Sequence, residues 1–201
     1  MSLREPMTLA TDYVLFIAAL LFCVRLWRAS RSWSLAFLFT AAGSFFGGTF
    51  HGFAPVLSPL TGAALWKATV LSIGLASFFL LAGSGRVLTI IAVVKSVVYA
   101  SWMITHDDFI WVIADYGVTL LLVAVSQAVA WSRWRSPSAP WFIGSVVVSI
   151  VAAIVQASRI RLHPNFNHND LFHVIQLAAL WMLFRAGVTM SATTRRTSPP
   201  T

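Results

Sequence analysis

Residues 109–131 read FIWVIADYGVTLLLVAVSQAVAW, an apolar run with a single charged residue, Asp115. A helix that crosses the hydrocarbon core of a bilayer needs about 20 consecutive apolar residues, and this run is long enough. A transmembrane β-barrel would instead show alternating segments of about 10 residues. The stretch therefore predicts a membrane-spanning α-helix, which decides the class of fold.

The composition extends this prediction to the whole chain of 201 residues. Hydrophobic residues make up 58% of the chain and charged residues only 10%, whereas a soluble domain has about 25% charged residues. This composition excludes a soluble globular fold and a disordered chain, and the single cysteine excludes a disulfide scaffold. We therefore expect an all-α integral membrane bundle.

Six further apolar runs predict a bundle of seven transmembrane helices in all. The predicted helices are Leu9–Trp27, Trp33–His51, Ala63–Ala82, Val87–Ile104, Phe109–Trp131, Trp141–Ser158 and Asn169–Val188. Seven helices use about 140 residues and leave only short loops. We therefore expect residues 1–190 to form one seven-helix domain and residues 191–201 to form a polar cytoplasmic tail.

The charges between these runs predict the orientation of the bundle. One side carries basic residues and no acidic residue, namely Arg25, Arg28, Arg31, Arg86, Arg133, Arg135, Arg185, Arg195 and Arg196. The positive-inside rule then places the N-terminus outside and the C-terminus in the cytoplasm. The same distribution explains the net charge of +8 without a nucleic acid partner, so the expected partners are membrane lipids.

The predicted outer side collects the residues that carry chemistry. All five histidines lie there, namely His51, His106, His163, His168 and His173. So do the six acidic residues, namely Glu5, Asp12, Asp107, Asp108, Asp115 and Asp170. This concentration of titratable groups predicts a polar pocket at the outer face of the bundle.

The strongest local pattern opens the seventh segment, where residues 165–173 read NFNHNDLFH. Asp170 and His173 are spaced i, i+3, so a helix places both on one face, and a carboxylate-x-x-His pair on a bundle helix has the spacing of metal ligands. The alternative is helix capping, with Asn167 or Asn169 as the N-cap and Asp170 in the first turn. Capping explains the asparagines and Asp170 but leaves His173 for another role.

A second pattern closes the second segment, where residues 43–52 read GSFFGGTFHG. The small residues at helical spacing predict close packing against a neighbouring helix, which leaves His51 as a candidate ligand. Because the second segment runs outward and the seventh runs inward, we expect His51 and His173 to lie at the same height in the membrane.

Two charged residues lie within predicted spans. Asp115 is about 9 Å into the fifth segment, and Lys95 is near the middle of the fourth. Ionisable groups inside a span are costly and usually face the bundle interior. Two interpretations follow: Asp115 pairs with Lys95 or Lys67, or it faces the outer pocket near His173.

The histidines that end the second helix and open the seventh resemble those of the alkaline ceramidase and adiponectin-receptor superfamily. The resemblance implies a seven-helix membrane hydrolase in which three histidines hold a zinc ion, one from helix two and a His-x-x-x-His pair from helix seven. His51 matches the helix-two ligand, and His173 matches the second histidine of the pair. Asn169 occupies the position of the first histidine, with His168 and Asp170 on either side.

The assisting residues of that superfamily, a serine and an aspartate, match less closely. The serine position of helix two is Gly47 here, with Ser44 and Thr49 as substitutes. The third helix, which carries the aspartate in the superfamily, has Lys67 and no acidic residue, so Asp115 is the candidate to replace it.

The first functional hypothesis is therefore a zinc-dependent intramembrane hydrolase that cleaves an amide or ester bond of a lipid. The expected metal ligands are His51, His173, and His168 or Asp170. Asp115 or Asp170 would act as the base or orient a ligand, and Ser44 would stabilise the oxyanion.

Two other hypotheses use the same residues. A non-enzymatic receptor, ligand-binding or assembly protein would use the outer pocket without a metal. A proton-coupled transporter would use Lys95 and Asp115. A retinal protein is disfavoured because the seventh segment contains no lysine.

Overall fold

The computed structural model describes residues 3–163 and 166–197, and of residues 192–197 it describes the backbone only. Within these residues the chain forms seven α-helices and a short 3-10 helix, Ala54–Val56, with no β-strand. The helices are α1 (Pro6–Leu26), α2 (Arg31–Phe53), α3 (Pro59–Ala82), α4 (Arg86–Trp102), α5 (Phe109–Trp134), α6 (Ala139–Ser158) and α7 (His168–Thr197).

Six of the described helices are long and apolar enough to cross a membrane, so the chain is a multi-pass helical membrane protein. The exception is α4, which has 17 residues and a length of about 26 Å, against a hydrocarbon core of about 30 Å. The prediction of a helical membrane bundle is confirmed, whereas a seventh span stays a prediction.

Helix α7 extends further than the sequence suggested. It continues to Thr197, beyond the predicted end at Val188, so the first part of the predicted polar tail is helical. The rest of that tail, residues 198–201, lies outside the described residues.

Six helices form a ring, and α4 packs outside it. Helix α1 packs against α2 and α7, α2 packs against α3, and α6 packs against α7. Helix α5 completes the ring because it packs against both α3 and α6. Helix α4 packs mainly against α3.

The best-packed part of the core lies where α1 ends and α2 begins. Trp33 and Phe37 are each 1% exposed, and Leu26 and Phe142 are fully buried beside them. The indole nitrogen of Trp33 donates a hydrogen bond to the carbonyl oxygen of Gly83, 3.2 Å away, which joins α2 to the end of α3. This end of the bundle is filled by side chains, and the opposite end contains the pocket described below.

The glycines of α2 allow α1 to approach closely, as the sequence predicted. A Cβ atom added at Gly48 would lie 2.7 Å from the Cβ of Asp12 and 3.1 Å from the ring of Tyr13. A Cβ atom added at Gly52 would lie 2.7 Å from the side chain of Leu9. The close packing therefore aligns the polar residues of α1 beside the end of α2.

Replacing Gly48 by Ala is expected to destabilise the protein by about 1–3 kcal/mol, because the added methyl group overpacks the α1–α2 contact. The matched control is Gly117→Ala, since a Cβ atom at Gly117 meets no atom within 4 Å. Thermal unfolding in detergent measures both variants. Equal midpoints for the two would contradict the close packing.

Candidate functional site

A cavity of about 440 Å³ lies inside the ring of helices α1, α2, α3, α5, α6 and α7. Pockets for small ligands usually have volumes of about 300–1,000 Å³. The lining residues of α7 run from Asn169 to Leu180, which corresponds to a depth of about 17 Å. The cavity therefore reaches from one end of the bundle toward its middle.

The end of the cavity on the predicted outer side, called the outer end below, contains two pairs of a histidine and a carboxylate. The Nε2 atom of His173 lies 3.4 Å from Oδ1 of Asp12, and its Nδ1 atom lies 3.0 Å from the hydroxyl of Thr11. The Nδ1 atom of His51 lies 3.4 Å from Oε2 of Glu5. Asp12, His51 and His173 all line the cavity, so the structure brings His51 and His173 to the same end of one cavity.

The deeper part of the cavity is mainly apolar. Its walls there include Leu15, Ile73, Leu120, Val146 and Leu180. Polar side chains become fewer with depth, and Gln176 and Ser149 at the intermediate level bond to each other. The cavity therefore has one polar end and one apolar end.

The cavity opens sideways between α5 and α6. Gly117 and Leu121 on α5 and Ile150 on α6 line the cavity, yet all three are exposed, Leu121 by 63% and Ile150 by 54%. Both α5 and α6 are long and apolar enough to cross a membrane, so the opening lies between two candidate membrane spans.

Asp170, a predicted metal ligand, caps α7. The backbone nitrogen of Asn167 donates to Oδ2 of Asp170, and the backbone nitrogen of Asn169 donates to Oδ1 of Asn167, each at 2.7 Å. Asn167 is therefore the N-cap of α7, and the bond from its backbone nitrogen to Asp170 is one half of a capping box. Thr8 donates to the other oxygen of Asp170 at 2.7 Å. One carboxylate oxygen therefore caps α7, and the other holds the start of α7 against α1.

The remaining predicted zinc ligands do not form a complete set. His168 is the first residue of α7 and does not line the cavity. Among residues 3–163 and 166–191, no three His, Cys, Asp or Glu side chains come together as a group that could hold a metal ion. The described side chains thus do not fit the predicted zinc site.

Asp115, predicted as a catalytic residue, pairs with Lys95 outside the cavity. The ammonium group of Lys95 contacts Oδ1 of Asp115 and donates to the hydroxyl of Ser77 at 2.9 Å. Ser77 in turn lies 2.7 Å from the hydroxyl of Thr119. Of the two interpretations open from the sequence, the structure favours the neutralising pair, which joins α4 to α3 and α5.

Ser44, the other predicted catalytic residue, does line the cavity and is 8% exposed. It lies two helical turns below His51 on α2. His106, by contrast, stacks on Trp102 at the end of α4, with ring centroids 3.8 Å apart.

Two polar residues of the site were missed by the sequence reasoning. The sequence places Asp12 only among the acidic residues of the predicted outer side, and it yields no prediction for Gln156. Thr8, Thr11 and Asp12 form a polar stripe at helical spacing on an otherwise apolar α1, and this stripe was the signal for Asp12. The sequence signal for Gln156 is weaker, because a single amide side chain near the end of an apolar helix is also typical of a residue at the membrane boundary.

Comparison with known proteins places the bundle in a family without assigning an activity. The model of a family of unknown function (DUF6962) matches residues 7–192, which include every residue that lines the cavity. No curated protein and no solved structure matches the chain. The resemblance to the alkaline ceramidase superfamily therefore stays a prediction.

Proposed function

The chain belongs to DUF6962, a family of unknown function, and we propose that it binds an amphiphilic lipid in the cavity of the bundle. The observation that carries this proposal is the sideways opening between α5 and α6, at the exposed residues Leu121 and Ile150. An alkyl chain enters such an opening from the bilayer without crossing water.

The polarity of the cavity supports the same ligand class. Its apolar inner part, near Leu120 and Leu180, suits an alkyl chain, and its outer end offers Asp12, His51 and His173 to a polar headgroup. Ligand pockets typically combine an apolar wall with a few polar groups that fix the orientation. A single-chain amphiphile inserted with its headgroup outward satisfies both ends.

A photoreactive single-chain alcohol, with a diazirine in its alkyl chain, tests the proposal on the full chain in phosphatidylcholine nanodiscs. We expect saturable labelling of lining residues such as Leu121 and Ile150, and suppression of this labelling by an excess of unlabelled octadecanol. Labelling that stays proportional to probe concentration and spreads over outward-facing residues such as Val94 and Val98 would overturn the proposal.

The orientation and the number of spans are part of the proposal. Thr89, near the start of α4, donates to the carbonyl oxygen of Ala82 at the end of α3. Met103, which follows α4, has its carbonyl oxygen 2.6 Å from the ammonium of Lys67 near the start of α3. Helix α4 therefore runs back along α3, and we propose that it crosses the membrane as the seventh span.

Seven spans with arginines on one side place the N-terminus outside and the C-terminus in the cytoplasm. We expect a reporter that works only in the cytoplasm to be active when it is fused after Thr201. A reporter that works only on the outer side should be inactive at the same position. A reporter inserted in the loop between α4 and α5, at His106, is the matched control and should report the outer side. A third reporter, inserted at Ser84 between α3 and α4, should agree with the C-terminal report. Reversed reports at all three sites would reverse the orientation, and reports from the same side at Ser84 and His106 would remove α4 as a span.

A second candidate function, hydrolysis of the bound lipid, is favoured by the Glu5–His51 pair. Glu5 holds Nδ1 of His51, and Nε2 has no hydrogen-bonding partner among the described residues, so His51 is suited to act as a general base in the cavity. In this case His51→Gln would abolish the cleavage of a lipid ester or amide and retain the labelling described above, whereas His106→Gln would change neither.

Zinc binding stays a prediction of the resemblance, and metal analysis of the detergent-purified protein tests it. About one zinc ion per chain, lost in His51→Ala and His173→Ala but retained in His106→Ala, would support a metallohydrolase.

A further inference from the structure

The outer end of the cavity is rich in hydrogen-bond acceptors, and its basic side chains are the histidines His51 and His173, each beside a carboxylate. Asp12 is the only carboxylate among the lining residues, and neither lysine nor arginine lines the cavity in the described part of the chain. Arg4 lies nearby but is 62% exposed and 3.8 Å from Glu5. Lys67 is engaged by Asp107 and by two backbone carbonyl groups.

One of the lining acceptors is a buried amide oxygen, that of Gln156. The amide nitrogen of Gln156 donates to Oδ1 of Asn169 at 2.7 Å, which fixes the orientation of the amide group. Its oxygen, Oε1, is buried and has no hydrogen-bond partner among the described residues. Because a buried polar atom left without a partner is costly, this oxygen marks a position that a donor on the ligand would fill.

These observations rest on the proposed function and extend it to the chemistry of the headgroup. We propose that the amphiphile carries a protonated amine, which donates to the carboxylate of Asp12 and to Oε1 of Gln156. The indole of Trp66 and the ring of Phe109 also line the cavity, with centroids 6.0 Å apart, and aromatic rings attract cations. A free carboxylate or phosphate would meet the carboxylate of Asp12 and neither a lysine nor an arginine among the described lining residues.

Competition against the photoreactive alcohol tests the headgroup in phosphatidylcholine nanodiscs. Octadecylamine, octadecanol and octadecanoic acid share one chain and differ in the headgroup. We expect the amine to compete at concentrations at least about tenfold lower than the acid, since a hydrogen bond to a charged group is worth that factor or more. Octadecanol should lie between the two.

Two variants test whether the preference for the amine depends on Asp12 and Gln156. Asp12→Asn removes the negative charge with little change in shape and should lower the affinity for the amine by about tenfold or more, while leaving the affinity for octadecanol within a factor of a few. Gln156→Leu removes the acceptor and should weaken both amine and alcohol. The matched control is Asp107→Asn, because Asp107 lies at the same end of the bundle, is 64% exposed and does not line the cavity.

The outcomes separate this inference from the proposed function. Saturable labelling with equal or better competition by the acid would overturn the amine headgroup and leave lipid binding in place. An unchanged amine preference in both Asp12→Asn and Gln156→Leu would overturn it as well. Absence of saturable labelling overturns the proposed function itself. If phosphatidylethanolamine nanodiscs reduce the labelling, the amine comes from a phospholipid; if they do not, it comes from a single-chain amine.

Discussion

Asp115→Asn is expected to destabilise the protein by about 3–5 kcal/mol, which is the typical effect of removing one partner of a buried ion pair. The side chains of Lys95 and Asp115 are 13% and 5% exposed. The variant leaves the ammonium of Lys95 beside Ser77 without a counter-charge, at a depth where water does not solvate it. Lys95→Met should have a similar effect, because Oδ2 of Asp115 already lacks a partner among the described residues.

The matched control is Lys67→Met. Lys67 also pairs with an aspartate, but its side chain is 31% exposed and that of Asp107 is 64% exposed, so the expected loss is about 0–1 kcal/mol. The double variant Lys95→Met/Asp115→Leu should recover most of the stability, since two apolar side chains leave no buried charge. Thermal unfolding in mild detergent measures all four variants.

The result also bears on the catalytic role that the resemblance suggested for Asp115. If Asp115→Asn proved as stable as the parent chain while lipid cleavage was lost, Asp115 would belong to the site and the pairing with Lys95 would be secondary. If Asp115→Asn is less stable but its folded fraction is labelled as strongly as the parent chain, the result supports a structural role for Asp115 in the pair with Lys95.

The fold was largely predictable because spanning helices depend on one local property, the length of an apolar run. The fifth and sixth helices were predicted at Phe109–Trp131 and Trp141–Ser158, and the structure has them at Phe109–Trp134 and Ala139–Ser158. The convergence of His51 and His173 was also predictable, because alternating helix directions determine which ends share one side of the membrane.

The partners of individual side chains were not predictable, because they depend on which helices are neighbours. The sequence shows that Asp170 and His173 share a face, but only the packing of α1 against α7 reveals that Thr8 and Thr11 contact them. The same packing brings Asp12 into the cavity. Likewise, α4 lies outside the ring, so Lys95 meets Asp115 away from the cavity.

Gly117→Phe is expected to lower the affinity for the photoreactive alcohol at least about tenfold without lowering the stability of the protein. Gly117 lines the cavity beside its opening, and a Cβ atom added there meets no atom within 4 Å. A phenyl ring therefore occupies space that the alkyl chain would use, and replacing a glycine inside a helix adds no conformational cost.

The neighbouring residue Val118 provides the control for this variant. It is 48% exposed and does not line the cavity, so Val118→Phe adds an aromatic ring to the same helix on the lipid-facing surface and should leave labelling of Leu121 and Ile150 unchanged. Equal loss in both variants would indicate a general disturbance of α5. Unchanged labelling in Gly117→Phe would mean that the alkyl chain does not pass between α5 and α6, and the route into the cavity proposed from the exposure of Leu121 and Ile150 would be wrong.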